Sequence, residues 1–155
     1  EEPKQMTTPK EREQNQPAAS KILDAAAGKN QSAREYLSMI AESARLLDDI
    51  YDGDYPITKK NLLEVLEILA IRIPTNKFYR QHQDFLLSQH LSMYNAWNAS
   101  NEAEKGDELS KIYAHVWRDS IEELIPVVAL LCKGPAHMKH ISAIMRKVFM
   151  KQLGD

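Results

Sequence analysis

Four carboxylates fall within seven residues at Asp48-Asp49-Ile50-Tyr51-Asp52-Gly53-Asp54, where an apolar-periodic stretch runs into a turn. On a helix Asp48 and Asp52 share a face with Asp49 beside them, and like charges at that spacing repel by roughly 0.2–0.5 kcal/mol. A helix that ends near Asp52 also turns its negative pole toward them, at roughly 0.3–1 kcal/mol per charge. Arg45 is the nearby upstream cation, and one guanidinium cannot neutralise four aspartates. A hard divalent cation such as Mg²⁺ or Ca²⁺ would, because it takes oxygen ligands. The competing reading is a polar helix end running into ordinary Asp-Gly and Tyr-Pro turn chemistry. A calcium-binding loop does not fit. With Ile57 at its eighth position, Ile50 stands at position one, Tyr55 where glycine is needed and Asn61 at position twelve.

A second constellation reads HxxxDxxxE: His115, Asp119 and Glu123, spaced four and four, with Glu122 adjacent. Helix bundles build metal sites in this way, from carboxylates and histidines on facing helices. The predicted ligands of Mg²⁺ or another divalent cation are therefore Asp48, Asp49, Asp52, Asp54, His115, Asp119 and Glu123. Arg118 lies among them, within reach of Glu122. The competing reading is a solvated face opposite a Leu109–Val116–Leu124 stripe. His137 and His140 are three apart, a spacing that fits a metal but also a polar helix start. His82 and His90 read as partly buried, satisfied side chains. No Ser/His/Asp or Cys/His pattern singles out a nucleophile.

These residues are carried on helices. Residues 1–16 are polar, with Pro3 and Pro9 and no apolar period, and are expected to form a tail without a core of its own. Pro17 opens a helix that closes at Gly28. Ser32 and Glu35 form a capping box for the next, whose apolar positions Tyr36, Leu37, Ile40, Ala44, Leu47 and Ile50 deliver the acidic cluster. Thr58 caps a third helix that is apolar on most sides through Leu62, Leu63, Leu66, Leu69 and Ile71. Such a helix is expected to be central and buried, ending at Ile73-Pro74. Thr75 caps a long fourth helix rich in aromatic residues. A fifth starts near Asp107, with Leu109, Ile112, Val116, Trp117, Ser120, Leu124 and Val127 as its buried stripe, and Pro126 is expected to kink or break it after Glu122. A last helix carries Met138, Ile141, Ile144, Met145, Val148 and Phe149. The expectation is all-α: one domain over residues 17–155, a bundle of five to six helices without significant sheet.

The 155 residues suffice for one domain with a real core. A net charge of −2 carries no nucleic-acid signal and no anionic-membrane signal. No apolar run approaches the roughly 20 residues of a transmembrane helix. Cys132 is the single cysteine and sits in an apolar run, so a buried, inert thiol is expected. The chain begins at Glu1, which fits an engineered fragment or loss of an upstream segment such as a signal peptide; both a cytoplasmic and an exported chain remain compatible.

The stretch from Leu46 through Asp54, followed by Lys59-Lys60, resembles the first aspartate-rich motif of all-α isoprenoid (polyprenyl diphosphate) synthases. That resemblance implies Asp48 and Asp52 as Mg²⁺ ligands, Asp49 as a supporting carboxylate, and Lys59 and Lys60 as holders of a diphosphate. It covers about fifteen residues, and the family's second aspartate-rich motif is absent, with HxxxDxxxE its nearest substitute. Two functions are expected to compete. One is a non-enzymatic helical interaction or assembly protein, joined to a protein partner or to itself and carrying a divalent metal at its acidic cluster. The other is a Mg²⁺-dependent helical enzyme acting on a diphosphate-containing substrate, isoprenoid-synthase-like or nucleotide-pyrophosphohydrolase-like.

Overall fold

The computed structural model describes the backbone of residues 9–53 and 56–154 and the side chains of residues 18–53 and 56–149. All regular structure among them is helical. In chain order it comprises α1 (Pro9–Ala27), α2 (Gln31–Asp52), α3 (Lys59–Glu67), a π turn (Ile68–Arg72), α4 (Ile73–Thr75), α5 (Lys77–Gln81) and α6 (Gln83–Ala103). There follow α7 (Glu108–Arg118), a 3-10 turn (Asp119–Glu123), α8 (Leu124–Lys133) and α9 (Pro135–Gly154). Counted as rods that run on across the π turn, His82 and the 3-10 turn, they number six, in rough agreement with the five to six expected. The first helix starts at Pro9, ahead of the expected Pro17. Residues 1–8 of the expected tail lie outside the described residues.

The helix ends follow capping chemistry, shifted by a residue or two from the sequence reading. Asn30, not Ser32, caps α2, its side chain accepting from the Ala33 N–H at 3.0 Å. Ser32 instead accepts the Phe78 N–H at 2.8 Å, and its carbonyl accepts from the Asn76 amide at 3.0 Å. Asn76, not Thr75, caps α5 through the Tyr79 N–H at 2.9 Å. Thr58 caps α3 and Asp107 caps α7 as expected. Gly53 closes α2 at φ +66°, where a side chain would be strained, and returns its N–H to the Asp49 carbonyl at 3.2 Å.

The core is centred on α2 and α8, with α1, α5 and α9 packed around them. Tyr36, Leu37, Ile40 and Leu46 of α2 meet Leu124, Val127, Val128 and Ala129 of α8 in one apolar cluster. Tyr36 anchors an aromatic layer inside it. Its ring stands 5.7 Å from Phe78, 6.0 Å from Tyr79 and 6.0 Å from His90. Its hydroxyl lies 2.6 Å from His90 Nε2. Burial, with Tyr79 nearby, raises the Tyr36 hydroxyl well above the ordinary tyrosine range, and burial lowers His90. The pair is therefore a protonated phenol donating to a neutral imidazole.

Both prolines bend their rods. Pro74 has no N–H to donate, and the turn ahead of it widens to π geometry, with the Ile73 N–H reaching the Ile68 carbonyl. The chain tightens into the 3-10 turn at Asp119–Glu123 before Pro126, which then sits in the first turn of α8, where its missing N–H costs nothing.

Two expected burials are overturned. The α3 rod is peripheral, not central: Leu62, Leu63, Leu66, Leu69 and Ile71 are exposed, and Val65, Ile68 and Ile73 alone turn inward. The all-round apolar helix that does occupy the centre is α8. On α7, Leu109, Ile112, Val116 and Trp117 face solvent, while the small residue Ala114 is buried. An amphipathic period fixes that a helix has two faces, but not which of them turns inward.

His90 makes a test of the core. Its folded-state pKa lies below the ordinary 6.5, so the unfolded chain takes up the proton first. The stability it contributes is present above about pH 6.5 and lost as pH falls through the folded value. His90→Phe leaves the buried Tyr36 hydroxyl unpaired, which costs about 1–3 kcal/mol at pH 7. The gap in melting temperature between variant and wild type is expected to narrow from pH 7 to pH 5; a constant gap would show that another group carries the titration.

Candidate functional site

The acidic end of α2 lies beside the ends of α6 and α7. Tyr51 and Trp97 make an edge contact between α2 and α6, with ring centroids 5.2 Å apart at 72°. Arg45 bonds Asp49 at 3.3 Å and Glu42 at 2.8 Å, as its spacing allows. The second cation comes from far along the chain. Arg118, the last residue of α7, pairs with Glu104 at 2.7 Å and bonds the Asn101 side-chain carbonyl at 3.4 Å. The Glu104 hydrogen bond holds Arg118 charged against partial burial, and the carboxylates of Glu104, Asp48 and Asp52 add their attraction. Arg118 thus pairs with Glu104, not Glu122. Much of the counter-charge that the sequence assigned to a metal is a guanidinium at Asp48 and Asp52. Arg118 Nε and Asn101 Nδ2 are buried without an acceptor among the described residues.

The HxxxDxxxE face is divided by the 3-10 turn. At three residues per turn, Asp119 and Glu123 no longer share a face. Glu123 pairs instead with Arg146 of α9 at 2.9 Å. Asp119 is raised by partial burial and drawn back by His115 and Arg118. Glu122 is pushed up to about 7, by burial first and then by Asp119 and Glu123, with Arg146 opposing. His115 is exposed, as are Lys59 and Lys60 at the first turn of α3. Asp54 lies outside the described residues. The two acidic sets are therefore neighbours linked through Arg118. No group of three His, Cys, Asp or Glu side chains among the described residues is arranged to hold a metal ion.

The remaining candidates are structural. His137 donates to the carbonyls of Ala25 and Ala26 at 3.0 and 3.2 Å, closing the end of α1. Cys132 is half-buried, and burial pushes its thiol up, as an inert cysteine requires. No helix among the described residues is long and apolar enough to cross a membrane.

The sequence reading missed the apolar surface. Besides the α3 row, Leu87, Leu91 and Tyr94 of α6 are exposed, and so is a continuous α7 row of Leu109, Ile112, Tyr113, Val116 and Trp117. One signal was present: from Gln83 to Asn101, Asp84 is the only acidic or basic residue. A solvated helix normally carries more charge than that. Compared with protein-family models, curated proteins and solved structures, the chain matches none.

Arg118→Gln is expected to lower stability by roughly 1–2 kcal/mol, between the values for an exposed and a buried ion pair. That is a fall of about 2–8 °C in Tm. The same change leaves Asp48, Asp52 and Glu104 without the guanidinium, so millimolar Mg²⁺ should raise the Tm of the variant more than that of the wild type. Equal responses would detach Asp48 and Asp52 from any cation site.

Glu122 gives a second test with the opposite sign. Its folded pKa is above the unfolded value, so the folded chain binds the extra proton, and stability falls as pH rises from about 4.5 to about 7. Glu122→Gln should match the wild type near pH 4 and exceed it at pH 8. The gain is expected to be about 1 kcal/mol after discounting for solvent screening, read as a Tm difference of a few degrees.

Proposed function

We propose that this protein is a non-enzymatic helical assembly subunit, acting by docking apolar helix faces onto other protein chains. The carrying observation is α7, whose apolar face points to solvent and whose small face points to its own core. Covering five half-exposed apolar side chains is worth on the order of 4–7 kcal/mol gross. That exceeds what the Arg118 contacts contribute, so the outward orientation is most stable when something covers it. The exposed rows on α3 and α6 make the same demand. A monomer seldom leaves so much contiguous apolar helix surface uncovered without a partner. The scarcity of charge along α6 matches the depletion of charged residues at interface centres.

Mg²⁺ or another divalent cation has a place in this reading as a structural ion at the end of α2, in competition with Arg118. The diphosphate-enzyme alternative needs Asp48, Asp52, Asp119 and Glu123 to converge on one cation. The pairing of Glu123 with Arg146 and the closeness of Arg118 to Asp48 and Asp52 weigh against it.

The docking reading requires faces that the chain's own stability does not use. Leu66→Ser and Leu91→Ser should each keep Tm within about 2 °C of wild type, as surface changes do, while reducing binding of an apolar dye such as anilinonaphthalene sulfonate. A fall of more than about 6 °C at either site would place it in the core and sink the proposal.

A further inference from the structure

The α7 face is specific enough to name its occupant, on the basis of the docking reading above. Leu109, Ile112, Val116 and Tyr113 are 51–61% exposed and Trp117 39%, and all five lie within two and a half turns. Their uncovered apolar area is on the order of 400 Å². Apolar atoms make up roughly 60% of an interface, so such a centre belongs to a footprint of about 700 Å² per partner. A stable pair needs around 800 Å², and α7 supplies nearly all of it before the neighbouring α6 row is added.

The charges beside the stripe choose the partner. Lys111 and Asp119 stand on the same flank, separated by about two turns and opposite in sign. The stripe itself carries no charge, so a charged partner surface would be buried there without a counter-charge. A second α7 running antiparallel satisfies both conditions. A twofold axis near His115 keeps like flanks together, and it brings Lys111 of each copy to Asp119 of the other. The same operation sets Tyr113 against Trp117 of the second copy, with Ile112 and Val116 interleaved at the centre. Lys111 now holds only an exposed pair with Glu108 at 2.9 Å, which yields readily to a new partner. We propose that the outer face of α7 is a homodimer interface, closed by the same face of a second copy of this chain in antiparallel register.

Sedimentation equilibrium of the full chain, combined with acrylamide quenching of Trp117 in a Trp97→Phe background, tests this. The expected result is a species of twice 17.7 kDa at tens of micromolar, with Trp117 shielded. Val116→Glu should weaken dimerisation by more than tenfold, restore 17.7 kDa and expose Trp117, with far-ultraviolet helicity unchanged. Lys111→Asp alone should weaken the pair and Lys111→Asp with Asp119→Lys should recover it. A dimer that survives Val116→Glu overturns the assignment of this face. A monomeric wild type with quenchable Trp117 overturns the second copy and leaves docking to another protein intact. A monomeric wild type with shielded Trp117 means that the face is covered by its own chain, and both readings fall.

Discussion

The orientation of α7 depends on Arg118. This side chain is tied to Glu104 and Asn101 and attracted by Asp48 and Asp52, and it draws the polar, small-residue side of the helix inward. Ala114 lies on that side and lets the helix pack closely, while the large apolar residues are left outside. An isolated chain gains little from this, since a partly exposed ion pair is a weaker force than the burial of five apolar side chains. The arrangement makes physical sense for a subunit whose apolar face is finished by a neighbour. The same guanidinium also occupies the electrostatic role that four clustered aspartates had suggested for a metal.

Much of the fold was legible because its determinants are local. Gly28 and Gly53 close helices at positive φ, Thr58 and Asp107 cap them, and the turn before Pro126 appears where the missing N–H demands it. Cap identity slipped at Ser32 and Thr75 because neighbouring polar residues compete for the same N–H groups, and tertiary bonds to Phe78 and Asn76 decide the outcome.

What was not legible is long-range. Asp48 and Arg118 are separated by five helical segments, and no spacing rule connects them. Glu123 seemed to share a row with Asp119 only under continuous α geometry, which the 3-10 turn interrupts. The α3 and α7 rows were read as core because hydrophobic spacing is silent about which side of a helix finds a neighbour. On α8 apolar residues run nearly all round, so that question does not arise, and α8 is the helix that is buried.

The π turn at Ile68–Arg72 has an evolutionary reading. A widened turn holds one residue more than regular helix, which is how an insertion inside a helix is absorbed without breaking the rod. Everything downstream is phased by that extra residue: Ile73 turns inward, and Asn76 comes within reach of the Ser32 carbonyl. Removing a single residue here would advance that segment by about 100°. It would carry Ile73 out of the core and Asn76 away from α2. Length in this segment is therefore under tighter constraint than side-chain identity, and a lineage of this protein would accept substitutions at Leu69 or Ala70 long before it accepted a deletion.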